Sequence, residues 1–355
     1  MLAHNDARVI GLETGLDATS CAASADGPLA PGGSPGVGTR PRGRVWLVLG
    51  PVPLTRTAPY LVAMTVIVTG ASGHLGRLVS DALLERVDPA DIVLVTRHPR
   101  ALRDLAERGA TVRHGDFDQP GSLAEAFEGG DRALLISTLA VGRRVAQHRA
   151  AIEAASAAGV RHLVYTSFPN PGPGHPVGPI ATEHGETEGI LKESGLEWTV
   201  LRNATYAELQ VMPGALAVAG GKLYTNAGDG LLVPVSRQDC AAAAASVLTT
   251  EGHAGMTYDI TGPEALSQAQ LADVLSQVSG RRVEVIAVGD RMLTWGLIKH
   301  GAPKPVARAV VAFGKAIREG YYALVDPAVS QLLGREPRTL RDVLIANRGE
   351  LLASV

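Results

Sequence analysis

Cysteine is nearly absent from the 355-residue chain: Cys21 and Cys240 stand alone, in neither a CxxC pair nor a ligand cluster. That excludes a disulfide framework and a zinc site, and it suits a reducing cytoplasm. Aromatic residues are scarce at 4%, so those near a candidate site carry more weight. Charge of either sign is nearly balanced, with a formal net charge of −2. Without a basic field, nucleic acid and anionic membrane are not expected partners. No apolar run approaches the ~20 residues needed to span a bilayer. What remains, 46% hydrophobic and 19% charged, is a globular chain able to bury a large core.

Residues 1–63 do not read as part of that fold. Ala30 to Gly43 is a Pro/Gly-rich, low-complexity stretch that cannot bury enough apolar surface to order itself. The apolar run Val45 to Leu49 is broken at once by Gly50, Pro51 and Pro53, too short and too far in for a secretory signal. Met64 falls where the first strand begins. The expectation is a disordered or non-native extension over 1–63 and a folded unit over 64–355, its substrate lobe starting near residue 204.

From Met64 the chain runs through a β-branched strand, Thr65 to Val68, into Gly70-Ala71-Ser72-Gly73-His74-Leu75-Gly76. Apolar residues then return at helical spacing: Leu75, Val79, Ala82 and Leu83. Strand, glycine turn and helix make the first half of a βαβ nucleotide site. Gly70 permits the tight turn, Gly73 admits a pyrophosphate to the backbone, and Gly76 lets the helix pack close. Free N–H groups and the positive end of the helix dipole face the phosphates. The spacing is GxxGxxG instead of GxGxxG, but the second strand, Asp91 to Thr96, follows in the right place. Past that strand an NAD site expects an acid for the ribose hydroxyl. Here Arg97 follows Thr96, and no acid is present. A guanidinium grips a 2′-phosphate with charge-assisted bonds, which favours NADPH.

Strands and helices continue to alternate. Asp116 and Phe117 follow a third strand, where they either flank an adenine or make a plain turn. A fourth strand is expected at Ala133 to Thr138, an Ala-rich helix at Val145 to Ala158, and a fifth strand at His162 to Ser167. This order predicts an α/β fold: a Rossmann-type, doubly wound parallel sheet with a smaller α/β C-terminal lobe. Ligands of such sheets sit at the carboxyl ends of the strands, at the switch point. Ser137, Thr138, Leu139, Ser167 and Phe168 are therefore expected to line one cleft with the glycine turn. The Pro/Gly loop Pro169 to Pro179 either covers that cleft or merely connects. Past Arg202 the pattern loosens, with a short hairpin expected around Gly228 to Gly230.

A short-chain dehydrogenase places YxxxK on the helix after the fifth strand, Tyr as acid and Lys to lower its pKa. The corresponding helix here reads Glu183-His184-Gly185-Glu186-Thr187-Glu188, with no such pair. His184 and Glu188, at i and i+4, share a face and can pair, which would make His184 a general acid near neutral pH. A structural histidine is the alternative. No third ligand accompanies them, so no metal is expected. A coenzyme-binding chain without a built-in acid either reduces a strongly electrophilic acceptor or binds NADP(H) without turnover as a redox sensor for a partner.

Taken in order, Thr69 to Gly76, Leu134 to Ser137, Gln147-His148-Arg149, Tyr165 to Ser167, His184 to Glu188, Ser194-Gly195, Leu201 to Asn203 with Tyr206, Asn226 to Gly230 and Gly252-His253 form a pattern. It resembles the NmrA-like atypical short-chain dehydrogenases, in the branch of NADPH:quinone oxidoreductases and triphenylmethane reductases. The resemblance runs from Met64 to about Val288 and more loosely to the end, and excludes the first 63 residues. It implies NADPH held by residues Gly70 to Leu75, Arg97 and Ser137 to Leu139, and an acceptor pocket near Phe168, Asn203 and Tyr206. It also implies direct hydride transfer to a small-molecule acceptor, without flavin. Phe168-Pro169-Asn170 and Ala204-Thr205 depart from the usual pattern, which puts the acceptor pocket's shape in question. Oligomeric state is not readable from these residues; a homodimer is compatible with them.

Overall fold

The computed structural model describes residues 64–353, so the extension expected over 1–63 lies outside the described residues. The first half of the sheet alternates β1 (Val66–Thr69), α1 (His74–Leu84), β2 (Ile92–Thr96), α2 (Arg103–Glu107), β3 (Thr111–His114) and α3 (Leu123–Phe127). The second half is β4 (Arg132–Leu135), α4 (Arg144–Ala157), β5 (His162–Ser167), α5 (Pro179–Lys192) and β6 (Glu197–Asn203). Then come α6 (Val211–Gly220), β7 (Lys222–Thr225), α7 (Arg237–Thr249), β8 (Met256–Ile260), α8 (Gln268–Ser279) and β9 (Glu284–Ala287). Four helices and a last short one close the described chain: α9 (Asp290–Lys299), α10 (Lys304–Arg318), α11 (Ala328–Leu333), α12 (Leu340–Ala346) and α13 (Arg348–Leu352).

Seven strands form one parallel sheet in the order β3-β2-β1-β4-β5-β6-β8. Strand order reverses between β1 and β4, which register Val66 against Arg132 and Val68 against Leu134. That is the switch point of a Rossmann-type fold, as expected from the βα alternation. Side chains leave each strand alternately up and down. Val66, Val68, Ile92, Leu94, Leu134, Val164 and Leu201 pack one face under α1, α2, α7 and α11. Ile67, Val93, Val95, Ala133, Leu135, Leu163 and Val200 pack the other under α3, α4 and α5. Both faces are covered, which is why the strands read as nearly continuous apolar runs.

Residues after 203 serve two places. α7 and β8 complete the main sheet and its helical layer, whereas α6, α8, α12 and α13 share a separate apolar cluster. The hairpin expected around Gly228 to Gly230 does not form. β7 instead pairs in parallel with β9, Lys222 opposite Glu284. The glycines have another reason: a Cβ on Gly230 would sit 2.2 Å from the carbonyl oxygen of Ile317 on α10. They let α10 pass close to a turn.

Candidate functional site

The glycine turn connects β1 to α1 at the switch point. Gly70 has φ +63, a left-handed conformation that side chains resist. Its carbonyl accepts from the Gly73 N–H at 2.9 Å, closing the turn. A Cβ on Gly76 would lie 2.3 Å from the Gly70 oxygen, so only glycine lets α1 start this close to the turn. Gly73 caps α1 without any side-chain hydrogen bond, and the first turn holds no acidic residue. The helix N-terminus therefore presents bare N–H groups, the arrangement that takes a pyrophosphate. Ala71 is buried, its N–H donating to the Val95 carbonyl at 3.1 Å, while His74 is exposed and Leu75 buried. Ser72 Oγ lies 2.7 Å from Thr96 Oγ1, tying the turn to the end of β2.

Arg97 comes next, exposed, with no hydrogen bond or ion pair among the described residues. A guanidinium beside the turn, with no acid partner, fits a phosphoryl group there. Asp116 accounts for itself locally: its carboxylate accepts from the Asp118 N–H at 3.0 Å and from Gln119 Nε2 at 3.4 Å. Phe117 packs against the core cluster of α3 and α4. A turn explains both of these residues as they stand.

The segment after β4 is held by buried side chains of β5 and α4. Ser137 N–H donates to Thr166 Oγ1 at 2.9 Å. Thr138 N–H donates to His148 Nε2 at 3.1 Å, and its hydroxyl to Gln147 Oε1 at 2.7 Å. His148 Nδ1 sits 3.1 Å from Thr187 Oγ1, whose own proton goes to the Glu183 carbonyl. The imidazole thus carries its proton on Nδ1 and accepts on Nε2, and burial, then Arg144, push its pKa down to about 3. Arg144 Nε donates to the Thr138 carbonyl at 2.7 Å and its NH1 pairs with Glu183 at 3.2 Å. Leu139, at the tip of this segment, is 95% exposed. A buried polar frame therefore fixes an apolar tip at the cleft edge.

The pairing of His184 with Glu188 does not occur. Glu188 is taken by a stronger partner from β6: Arg202 donates Nε at 3.0 Å and NH2 at 2.8 Å, and Ser167 Oγ adds a bond at 2.7 Å. Two-pronged bonding to a guanidinium outcompetes one imidazole contact. His184 turns to Tyr165, whose phenol oxygen lies 2.7 Å from Nδ1. The phenol is also within reach of Thr187, so this contact leaves either nitrogen of the His184 ring able to carry its one proton. Burial, then the positive charge of Arg144 and the neighbouring His148, lower the His184 pKa to about 3. Burial raises that of Tyr165. Near neutral pH His184 is an uncharged imidazole, not an imidazolium acid.

Phe168 follows β5 and stacks on His184, ring centroids 5.6 Å apart and 20° from parallel. Asn203 Nδ2 lies 3.3 Å from the Tyr206 hydroxyl, and Arg237 covers the Tyr206 ring at 4.8 Å. Tyr206 packs toward α7, Phe168 toward α5 and α10. No hydrogen bond or ring contact joins Phe168 to the other two among the described residues. A cavity of about 310 Å³ lies elsewhere, between β7 and α9, lined by Tyr224, Met292, Trp295 and His300. None of the cleft residues borders it, so volume alone does not locate the site. Among the described residues no cluster of His, Cys, Asp or Glu could hold a metal, and no helix is long and apolar enough to cross a membrane.

Fold and turn together define a dinucleotide-binding α/β protein. A family model described as NAD(P)H-binding matches residues 70–251. Quinone oxidoreductase 2 of Escherichia coli is 35% identical over 277 residues, 78% of this chain and 96% of that protein. Its structure with NADPH superposes with a TM-score of 0.76 at 34% identity, over 80% of this chain and all of the other. The NAD(P)H azoreductase of Xenophilus azovorans is 30% identical across 78% of this chain and 96% of its own length. The triphenylmethane reductase of Citrobacter sp., solved with NADP(H), gives a TM-score of 0.73 at 32% identity, over 80% and 99% of the two chains. The chain belongs to the NAD(P)H-binding, NmrA-like family, in its quinone and triphenylmethane reductase branch. It is an NAD(P)H-dependent oxidoreductase.

Proposed function

We propose that the chain transfers hydride from NADPH directly to a quinone or a similar planar electrophile. Arg97 carries the choice of coenzyme: it stands past β2 without an acid partner, where a 2′-phosphate would lie. Gly70 to Gly76 would hold the pyrophosphate, Ser137, Thr138 and Leu139 the cleft edge, and Ser167 the end of β5. The bound coenzyme supplies the hydride, and no flavin or metal is required. Structures of relatives carrying NADP(H) support this coenzyme.

The chain's own task is orientation and the exclusion of water. α5 offers no Tyr/Lys pair at the expected spacing. A quinone needs little proton assistance, because the hydroquinone anion left by hydride addition is a weak base whose proton comes from solvent or a weak donor. His184, uncharged, can at most hydrogen-bond that anion, and the proton itself comes from solvent. Its Nε2 has no hydrogen-bond partner among the described residues. Phe168, Asn203 and Tyr206 are proposed to border the acceptor.

The folded unit is taken to begin near Met64 and its acceptor side to draw on residues beyond about 204; N-terminal sequencing of the native protein checks the first point. Stopped-flow absorbance with a quinone panel tests the reaction. NADPH should be oxidised only when acceptor is added. Tight NADPH binding with no acceptor-dependent loss of absorbance would instead support a non-catalytic redox sensor.

A further inference from the structure

The formal net charge of −2 is an average over the chain, and one part of the C-terminal lobe departs from it. Residues 290–319, which carry α9 and α10, hold six Lys or Arg and two acids. Both acids are engaged: Asp290 pairs with Arg318 at 3.1 Å and Glu319 with Lys315 at 3.7 Å. Arg291, Lys299, Lys304 and Arg308 are left exposed, with no ion pair among the described residues. The near-neutral total conceals a local basic face.

That face is also apolar. α9 buries Leu293. At about 100° per residue, the opposite side of the helix carries Ile298, Arg291, Trp295, Lys299 and Met292 in that order around the axis. Met292 is 60% exposed, Trp295 59% and Ile298 42%. Tyr224 of β7, 55% exposed, borders the same recess of about 310 Å³ as Met292 and Trp295, so the patch extends past the helix. The Lys299 ammonium stands 4.7 Å over the Trp295 ring. Exposed apolar side chains scattered singly need no cause, but a contiguous group on one helix face marks a contact surface.

We infer that this face of α9 docks the chain on an anionic lipid bilayer. Trp295, Met292 and Ile298 sit at the headgroup boundary, with Arg291, Lys299 and Lys304 against lipid phosphates. Charge complementarity selects this occupant. A second copy on a two-fold axis would set the same cations against each other, with no free acid among these residues to answer them. Residues 1–63 hold five Arg and four acids, so they supply no acidic segment to cover the face. An acidic peptide would satisfy the cations but leave the apolar side chains in water. Lipid meets both needs: Lys and Arg stems lie along apolar surface while their heads reach phosphates, and Trp favours the headgroup level. Such a helix lies on a membrane and does not cross it. Planar apolar acceptors partition into bilayers, so docking brings the chain to them, but the docking itself does not depend on the reductase reading.

The test uses the full chain and vesicles of phosphatidylcholine, alone or with one-third phosphatidylglycerol, read by co-sedimentation. Binding to the anionic vesicles is expected to be at least about ten-fold tighter than to the neutral ones, and to fall as salt rises past about 0.15 M. Arg291→Gln and Lys299→Gln should each weaken it about five-fold, the effect of one charge at an anionic surface. Trp295→Ser should weaken it about ten-fold through lost apolar contact. All three side chains are exposed, so melting temperature and turnover of a water-soluble quinone should stay unchanged in these variants. Equal binding to both vesicles, anionic binding indifferent to Trp295→Ser, or polyglutamate bound as tightly as the vesicles overturns the inference. Absence of vesicle binding overturns it too, and self-association abolished by Trp295→Ser then makes the face a contact between copies. Wild-type protein that binds anionic vesicles but never oxidises NADPH with a quinone keeps the docking face and overturns only the reductase reading.

Discussion

Arg97 and His184 show how differently two side chains can be read. Arg97→Ala should weaken NADPH about ten- to hundred-fold, the worth of a charge-assisted contact to phosphate, and leave NADH within about two-fold. Fluorescence titration of both coenzymes measures the ratio. His184 follows another logic, because burial holds His148 and His184 near about 3 and His162 near about 4, against 6.5 when exposed. Turnover should therefore show no ionisation of His184 between pH 5 and 8. A bell with a limb near pH 6.5 that disappears in His184→Gln would contradict the neutral assignment. Stability runs the opposite way to a salt-bridged histidine. Each of these imidazoles is neutral in the fold and takes a proton on unfolding once pH drops below about 6.5, so the unfolded state binds more protons there. Stability should fall through the window from pH 6.5 toward 4, by up to about 1.4 kcal/mol per pH unit for each histidine. Urea midpoints at pH 7 and 5 check the sign. The sequence displayed His184 as a titratable group on a helix face, but its partner was hidden: Tyr165 sits in an apolar strand and reads as core. Glu188, the neighbour visible in the helix repeat, was already engaged by Arg202 from the next strand.

At the level of elements, the glycine turn and α1 separate packing from binding. Gly76→Ala drives a Cβ to 2.3 Å from the Gly70 oxygen and 2.7 Å from Ala71 Cα. It should cost more than about 3 kcal/mol and abolish coenzyme binding through loss of the turn. Gly73→Ala meets only the Gly70 oxygen, at 3.2 Å. Its melting temperature should change little while NADPH affinity drops, because the methyl group stands where phosphate approaches the bare helix end. Equal losses of stability in the two variants would contradict this division. Glu188→Gln weakens a buried carboxylate's bonds to Arg202 and Ser167 and should destabilise by about 2–4 kcal/mol, read by urea unfolding. The β1-to-β6 succession was legible because each strand is a short apolar run and each helix has room to cross back. The β7–β9 pair was not. A strand over Val283 to Val288, which contains β9, reads from the sequence, but β7 is four residues long, lies far from it in the chain and is largely exposed, so no turn announces the pairing. Gly228 and Gly230 looked like hairpin residues because close passage of α10 imposes the same demand for glycine.

For the whole molecule, the doubly wound sheet brings the glycine turn, the β4 and β5 ends and α5 to one edge, and that convergence was readable from βα order alone. The ring cluster of Phe168, His175, Phe313 and Tyr322 was not. His175 lies in a loop that reads as a connector, Tyr322 in the looser C-terminal part, and only the folded chain joins them. The division of labour also escaped the sequence, since α7 and β8 return to the main sheet after the chain has left it. A reductase that grips its coenzyme through Arg97, as proposed, should show strong selectivity for NADPH. Calorimetric titration of the purified full chain with NADPH and NADH, repeated on Arg97→Ala, tests the coenzyme assignment most directly. The account predicts NADPH binding at least about ten-fold tighter than NADH, with the difference collapsing in the variant. Equal affinities in the wild type, or a preference that survives loss of Arg97, would contradict it.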